Sequence, residues 1–493
     1  MIAKTNNSYQ QILKSTSVLG GVQVFNILIA ILRSKLIAVL LGPSGMGLMS
    51  LLTATIGLIT GITNFGLGTS AVRNVASSAA SGDAGKLGKT VGVFRRLVWL
   101  TGSLGFVLTL ILSPLLSEIA FGNKAYTASF MLISFTLLFT QISAGQNVIL
   151  QGMRKIQYMA KASMLGALAG LLISIPFYYF YAEKGIVPAI ILTSLSTLSL
   201  SWFFANKVKI PEISIDKIIF KTEGKEMLKM GFLISLSGLI TIGISYILRV
   251  FISSRGGLED VGLFTAGFAI IGTYAGMVFT AMGADYYPRL ATVANDNLKC
   301  KQEINQQAEI AILMLAPILI LFLVFIQWGI VVLYSKQFVE IADMIHWATL
   351  GIFFQALSWS LGYVFLAKGA SRTFFWNELI ASAYMLGLNI LGYYYFGLTG
   401  LGVSFLLAYF FYFIQMLLVC KKLYGIFLDS NTWKIFILQF SIAIFCFITG
   451  YFLNETAGYL IGSILILVSG IYSWKELNKR IDLKQIIAKR FKK

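Results

Sequence analysis

Apolar runs of roughly twenty residues or more, each long enough for a helix to cross hydrocarbon, recur along this chain between short polar segments. They fall at approximately 16–41, 46–72, 92–117, 125–150, 161–182, 185–205, 229–254, 260–287, 306–334, 340–367, 374–396, 398–420, 433–453 and 456–474. Apolar and polar residues do not alternate within them, which excludes the strands of a transmembrane barrel. The pattern predicts an all-α polytopic membrane protein of about 14 transmembrane helices. The first sixteen residues are polar, and no small-residue cleavage site follows a short apolar core, so no removable signal peptide is expected.

Short motifs repeat within the chain. Met46-Gly47-Leu48 after Arg33 is echoed by Val261-Gly262-Leu263 after Arg249. Gly68 and Arg73 are echoed by Gly283 and Arg289, and Gln151-Gly152-Met153-Arg154 by Lys368-Gly369-Ala370-Ser371-Arg372. The offset between motif and copy is nearly constant across all of them. Six spans separate each motif from its copy, and an even number keeps both halves in one orientation, so two parallel six-helix lobes are expected. The organisation that follows is an N-terminal lobe over 1–205, a basic amphipathic linker over 206–228 and a second lobe over 229–421. Helices 13–14 then occupy 422–474, and a basic tail 475–493. The linker and the tail, with Ile481, Ile486, Ile487 and Phe491 set among lysines, read as segments that lie on an anionic leaflet.

Charge placement gives the sidedness. Of 39 Lys and Arg residues, 32 fall on the side that holds both termini, and only Lys124, Lys184, Arg255 and Lys336 fall opposite. The positive-inside rule then puts both ends in the cytoplasm. It also accounts for the net charge of +19, so nucleic acid is not an expected partner. Charged residues are only 12% of the chain, and mean hydropathy is +0.81. Of the three cysteines, Cys300 and Cys420 fall at cytoplasmic helix ends and Cys446 within a helix, which gives no disulfide framework. The single histidine, His346, cannot build a His-rich metal site. Gly82 to Thr90 resembles a phosphate-binding loop, but its first glycine stands one residue too far from Gly88-Lys89-Thr90 and no strand precedes it, so an ATPase is excluded. No cofactor is expected.

Three cations remain inside spans: Arg33 and Lys35 in the first, Arg249 in the seventh. A charge at that depth costs at least about 2.5 kcal/mol and rarely stays without a role. Arg33 lies about 13 Å below the outer end of its helix, so snorkelling to headgroups is one reading and an anion-receiving site the other. Equivalent placement of Arg33 and Arg249 in the two repeats favours the site, and guanidinium suits phosphate. Asp285 is placed to pair with Arg289, and Glu378 with Arg372; ion coupling is the alternative for both acids. Asn26, Asn64 and Gln146 are amides in spans that could hydrogen-bond between helices or contact sugar. Pro114 and Pro317 are candidate bending points.

The run from Arg33-Ser34-Lys35 through Gly42-Pro43-Ser44-Gly45-Met46-Gly47-Leu48 resembles the first-helix signature of the polysaccharide flippases. So do Asn64-Phe65-Gly66-Leu67-Gly68 and the Gln151-Gly152 turn. These flippases belong to the multidrug/oligosaccharidyl-lipid/polysaccharide exporter superfamily, and the resemblance covers about residues 10–420. The O-antigen translocases are the nearest branch. The resemblance implies a flippase that moves undecaprenyl-pyrophosphate-linked oligosaccharide across the bacterial inner membrane by alternating access. It implies a cavity arginine at Arg33, contact with membrane lipids and with glycan polymerase machinery, and no enzymatic activity. Many members have twelve helices, so the last pair is a departure. A multidrug or organic-cation antiporter of the same fold would want acidic cavity residues, whereas the deep charges here are basic. A glycan polymerase would want a sizeable loop, and the outer loops are short.

Overall fold

The computed structural model describes Ile2–Ile481, and among these residues every regular element is helical. The apolar positions of the basic tail beyond, Ile486, Ile487 and Phe491, lie outside the described residues. In chain order the helices are α1 (Ile2–Thr63), α2 (Leu67–Ala80), α3 (Ala84–Phe121), α4 (Thr127–Gly152), α5 (Ile156–Tyr181) and α6 (Ile186–Ala205). Then follow α7 (Lys217–Thr292), α8 (Asn297–Leu333), α9 (Ala342–Ala367), α10 (Ser371–Tyr424), α11 (Ser430–Phe452) and α12 (Glu455–Ile481). Among the described residues ten helical stretches are long and apolar enough to cross a membrane. Four of these ten have 44, 50, 54 and 55 residues, more than one crossing uses.

Each of the four has an interior break. Gly42 (φ 66°, ψ −170°) interrupts α1, Gly257 (φ 76°, ψ −168°) interrupts α7, and Gly397 (φ 59°, ψ −142°) interrupts α10. A short 3-10 turn, Ala182–Gly185, separates α5 from α6. A glycine bears these dihedrals at little steric cost because it has no Cβ. Pro114 and Pro317 play no such part: α3 and α8 keep helical dihedrals through them, and the sharp breaks fall at Gly42, just before Pro43, at Gly257, at Gly397 and at Ala182.

The breaks repeat with the sequence. Gly42 and Gly257 are separated by the same length of chain as Arg154 (φ 56°) and Gly369 (φ 67°), and as Ala182 (φ 46°) and Gly397. Helix α4 ends at Gly152 and α9 at Ala367; α5 begins at Ile156 and α10 at Ser371, each pair at that same offset. This corrects three registers in the sequence comparison: at this offset Arg249 corresponds to Ser34 and Arg289 to Asn74, each one residue from the arginine with which it was matched. Gly369 corresponds to Arg154 and not to Gly152, which is helical and packed so tightly that a Cβ there would lie 2.6 Å from Val75. The two caps match as well: Asp83 accepts from the N–H groups of Gly85 and Lys86, and Asp296 from those of Leu298 and Lys299, the usual aspartate cap of a helix start.

The chain divides into two compact units, Met1–Gly262 and Leu263–Lys493. In the first, Leu67, Ala71 and Val75 of α2 pack with Val91 and Phe94 of α3 and Ile142 and Ile149 of α4. The linker joins this core: Ile215 and Met227 are buried in it, and Arg96 Nη1 donates to the Ile215 carbonyl at 3.1 Å. Glycines leave room for that strap, since a Cβ on Gly88 would meet the Pro211 carbonyl at 2.6 Å and one on Gly92 the Ile215 Cδ1 at 2.3 Å. In the second unit α9 is the most enclosed helix, with Phe353, Leu357 and Phe365 at 1% exposure or less. Helices α11 and α12 both pack on α8.

Candidate functional site

The first unit carries all three deep cations. Arg33 and Lys35 are half-buried on α1, and the Nε of Arg33 is fully buried with no hydrogen-bond partner among the described residues. Arg249, on α7, is half-buried and more fully engaged. Its Nε donates to Ser50 Oγ at 3.0 Å, and its Nη1 donates to the Ser245 carbonyl at 3.0 Å and to Ser245 Oγ. Ser50 lies in α1 beyond the Gly42 break, so the arginine of the second repeat is held by the second span of the first. The sequence offered no sign of Ser50 or Ser245; small hydroxyls are frequent in membrane helices and do not stand out.

Near Ser50 in sequence, the residue that holds Arg249, α1 and α7 approach very closely. A Cβ on Gly47 would lie 1.8 Å from the Leu258 carbonyl oxygen, and one on Gly262 would lie 1.9 Å from that of Pro43. Pro43 and Leu258, like Gly47 and Gly262, are equivalent positions of the two repeats, so the contact maps onto itself when the repeats are exchanged. Further along, Gly66 and Gly231 touch in the same manner, with Cβ approaches of 2.1 and 2.3 Å to backbone oxygens.

The three amides go to three places. Asn26 Nδ2 donates to Ser163 Oγ on α5 at 2.9 Å, and its Oδ1 is buried without a partner. Asn64 Oδ1 accepts from Gln141 Nε2 at 3.0 Å, and the same nitrogen donates to Thr101 Oγ1 at 2.9 Å, tying the α1 end to α3 and α4. Gln146 lines a different cavity, with Arg95.

The acids also part. Asp285 has a side chain 77% exposed and pairs with Arg289 Nε at 2.9 Å; Arg289 reaches on to Glu303 at 2.7 Å and Gln307 at 3.0 Å. Glu378 makes no ion pair with Arg372, contrary to the sequence expectation. It turns inward and accepts from the Tyr412 hydroxyl. Tyr409, which accepts from Gln355 Nε2 at 3.0 Å, is also close by. Tyr412 sits in the aromatic run Phe410-Phe411-Tyr412-Phe413, and its one polar side-chain atom serves the acid. A second missed acid is Glu309, 8% exposed, which binds Arg480 Nε at 2.8 Å and Asn431 Nδ2 at 3.1 Å. Among the described residues no cluster of acids, histidines and cysteines suits a metal ion, and all three cysteines are buried thiols. His346 spends its Nε2 on the Leu323 carbonyl at 3.1 Å.

Comparison with known proteins gives this geometry its setting. A family model described as polysaccharide biosynthesis protein matches residues 12–294. No curated protein matches. Among solved structures, the lipid II flippase MurJ in an inward closed conformation is similar, with TM-score 0.69, 16% identity, and 93% of this chain and 99% of that one covered. An inward-facing multidrug resistance MATE transporter of the MOP superfamily has TM-score 0.67 and 15% identity, over 81% and 94%. A MOP-superfamily transporter from Pyrococcus furiosus, described as having a binding pocket of reverse polarity, has TM-score 0.54 and 15% identity, over 83% and 96%. At these identities the likeness is one of fold.

Proposed function

We propose that this chain, which belongs to the polysaccharide biosynthesis protein family, is a flippase that carries undecaprenyl-pyrophosphate-linked oligosaccharide from the inner to the outer leaflet of a bacterial inner membrane. The observation that carries the reading is the pair of span arginines, Arg33 and Arg249, one in the first span of each repeat. Arg249 is already oriented by Ser50 and Ser245, while Arg33 keeps a buried donor unspent. A buried donor without a partner is unfavourable, and a pyrophosphate oxygen would satisfy it. Lys35 adds charge nearby but lacks the planar fork. The repeats alternate access: the polar head occupies the arginine site while the polyprenyl tail stays in lipid. Both termini face the cytoplasm. A drug or cation antiporter is disfavoured by the sign of these charges.

The test is reconstitution into vesicles with lipid-linked oligosaccharide, with protein orientation fixed by impermeant labelling of a cysteine at position 82. Wild type should move substrate between leaflets, Lys35→Ala should be mildly impaired, and Arg33→Ala should lose at least about tenfold in rate, the equivalent of one charged hydrogen bond. Full transport by a correctly inserted Arg33→Ala variant would leave that arginine a snorkelling residue and sink the reading.

A further inference from the structure

We infer that a cavity in the first unit, remote in sequence from the arginine pair, binds the headgroup of an amine-bearing phospholipid such as phosphatidylethanolamine. The cavity has a volume of about 340 Å³ and lies between the linker-side ends of α3, α4 and α6. It is lined by Arg95, Trp99, Gln146, Trp202, Asn206 and Glu212.

Two lining atoms demand a ligand. Arg95 Nε and Gln146 Oε1 are both buried and both lack a hydrogen-bond partner among the described residues. One is a charged donor and the other a neutral acceptor, so the missing group must offer an acceptor to the first and an N–H or O–H to the second. The other α3 and α4 residues of the lining include Val98, Ile142 and Ile149, whose side chains carry no polar atom.

Charge narrows the class. This end of the chain is crowded with cations, and a purely anionic ligand would find many sites. The cavity lining holds an acid, Glu212, beside its arginine, so it is balanced and fits a zwitterion. A phosphodiester matches the guanidinium fork of Arg95. A primary ammonium can donate to Gln146 Oε1 and lie against Glu212; a choline headgroup carries no N–H and would leave Gln146 unsatisfied.

Position selects a lipid over a soluble phosphate ester. Trp99 and Trp202 are 49% and 48% exposed at the mouth, as indoles are where a span meets the headgroup layer. Leu100 and Phe203, their chain neighbours, are each 57% exposed and apolar. Glu212 belongs to the strap that Arg96 fastens to α3, so a bound headgroup would join that strap to the helix ends.

The experiment is a lipid titration of the purified full chain in detergent, read by thermal shift and native mass spectrometry, with phosphatidylethanolamine, phosphatidylcholine, phosphatidylglycerol and soluble glycerophosphoethanolamine. Phosphatidylethanolamine should bind about tenfold more tightly than phosphatidylcholine, the gain from one charge-assisted hydrogen bond. Gln146→Leu and the surface variant Glu212→Gln should each erase that preference, and Arg95→Gln should weaken all three lipids. Equal binding of the ethanolamine and choline lipids, or tighter binding of phosphatidylglycerol, would overturn the proposal. So would a preference that survives Gln146→Leu and Glu212→Gln. Soluble glycerophosphoethanolamine binding as tightly as the lipid would overturn the assignment to a bilayer ligand; much weaker binding supports it.

Discussion

A carboxylate at membrane depth is stable only if something offsets its charge, and Glu378 is offset by a hydroxyl and not by a cation. Tyr412 donates to it, and the buried Tyr384 hydroxyl, without a hydrogen-bond partner, belongs to the same helix α10. An acid held by a neutral donor keeps its charge open to a small cation, whereas an acid paired with arginine is already neutralised, which is the contrast with the exposed Asp285–Arg289 pair. Glu378→Gln should therefore abolish the response of transport in vesicles to an imposed cation gradient while leaving downhill movement of substrate measurable. Tyr412→Phe, which removes only the donor, should have a smaller effect. An unchanged gradient response in Glu378→Gln would make the acid purely structural. At this scale the sequence was half legible. Arg33, Lys35, Arg249 and Glu378 stand out because a charge inside an apolar run is a single-residue signal. Their partners do not: Ser50 is 199 residues from Arg249, Tyr412 is 34 from Glu378, and Gln141 is 77 from Asn64. No local pattern encodes such distances.

At the scale of elements, the joint between α1 and α7 is made of backbone against backbone. Gly47 and Gly262 each face a carbonyl at a distance no Cβ tolerates, and a displaced helix is the only relief. Gly47→Val and Gly262→Val should each destabilise the protein by about 1–3 kcal/mol, the range for overpacking a tight contact. The contact is shared, so the double variant should cost much less than the sum, because helices already pushed apart by one side chain make room for the other. Thermal or denaturant unfolding of the four proteins closes the cycle, and strict additivity would mean that the two glycines serve separate contacts. Helix positions were readable from hydropathy because each span needs its length of apolar residues. The places where spans bend were less so. Proline drew attention, yet a helix tolerates Pro114 and Pro317 with its dihedrals intact, while the chain turns at glycines that look ordinary in a sequence with 46 of them.

On the scale of the whole molecule, the last two helices pack into the second unit and are held there by polar bonds. Gln439 of α11 donates to Ser473 at 2.8 Å and accepts from Ser469 at 2.7 Å, both on α12, and Arg480 of α12 closes on Glu309 of α8. The recurrence of backbone breaks at one fixed offset has a further consequence. A duplicated chain carries its own control: each half is an independent solution to the same bend, and a mismatch between them shows which half has drifted. Where the later half bends at Gly397, the earlier one bends at Ala182, with φ 46° and ψ −129°, a region that penalises any Cβ. Ala182→Gly should raise stability by about 1 kcal/mol, after the entropy that glycine adds to the unfolded chain is subtracted. The reverse exchange, Gly397→Ala, should lower it, and unfolding midpoints of the two variants against wild type would show whether ancestry left the earlier copy with an unrepaired misfit.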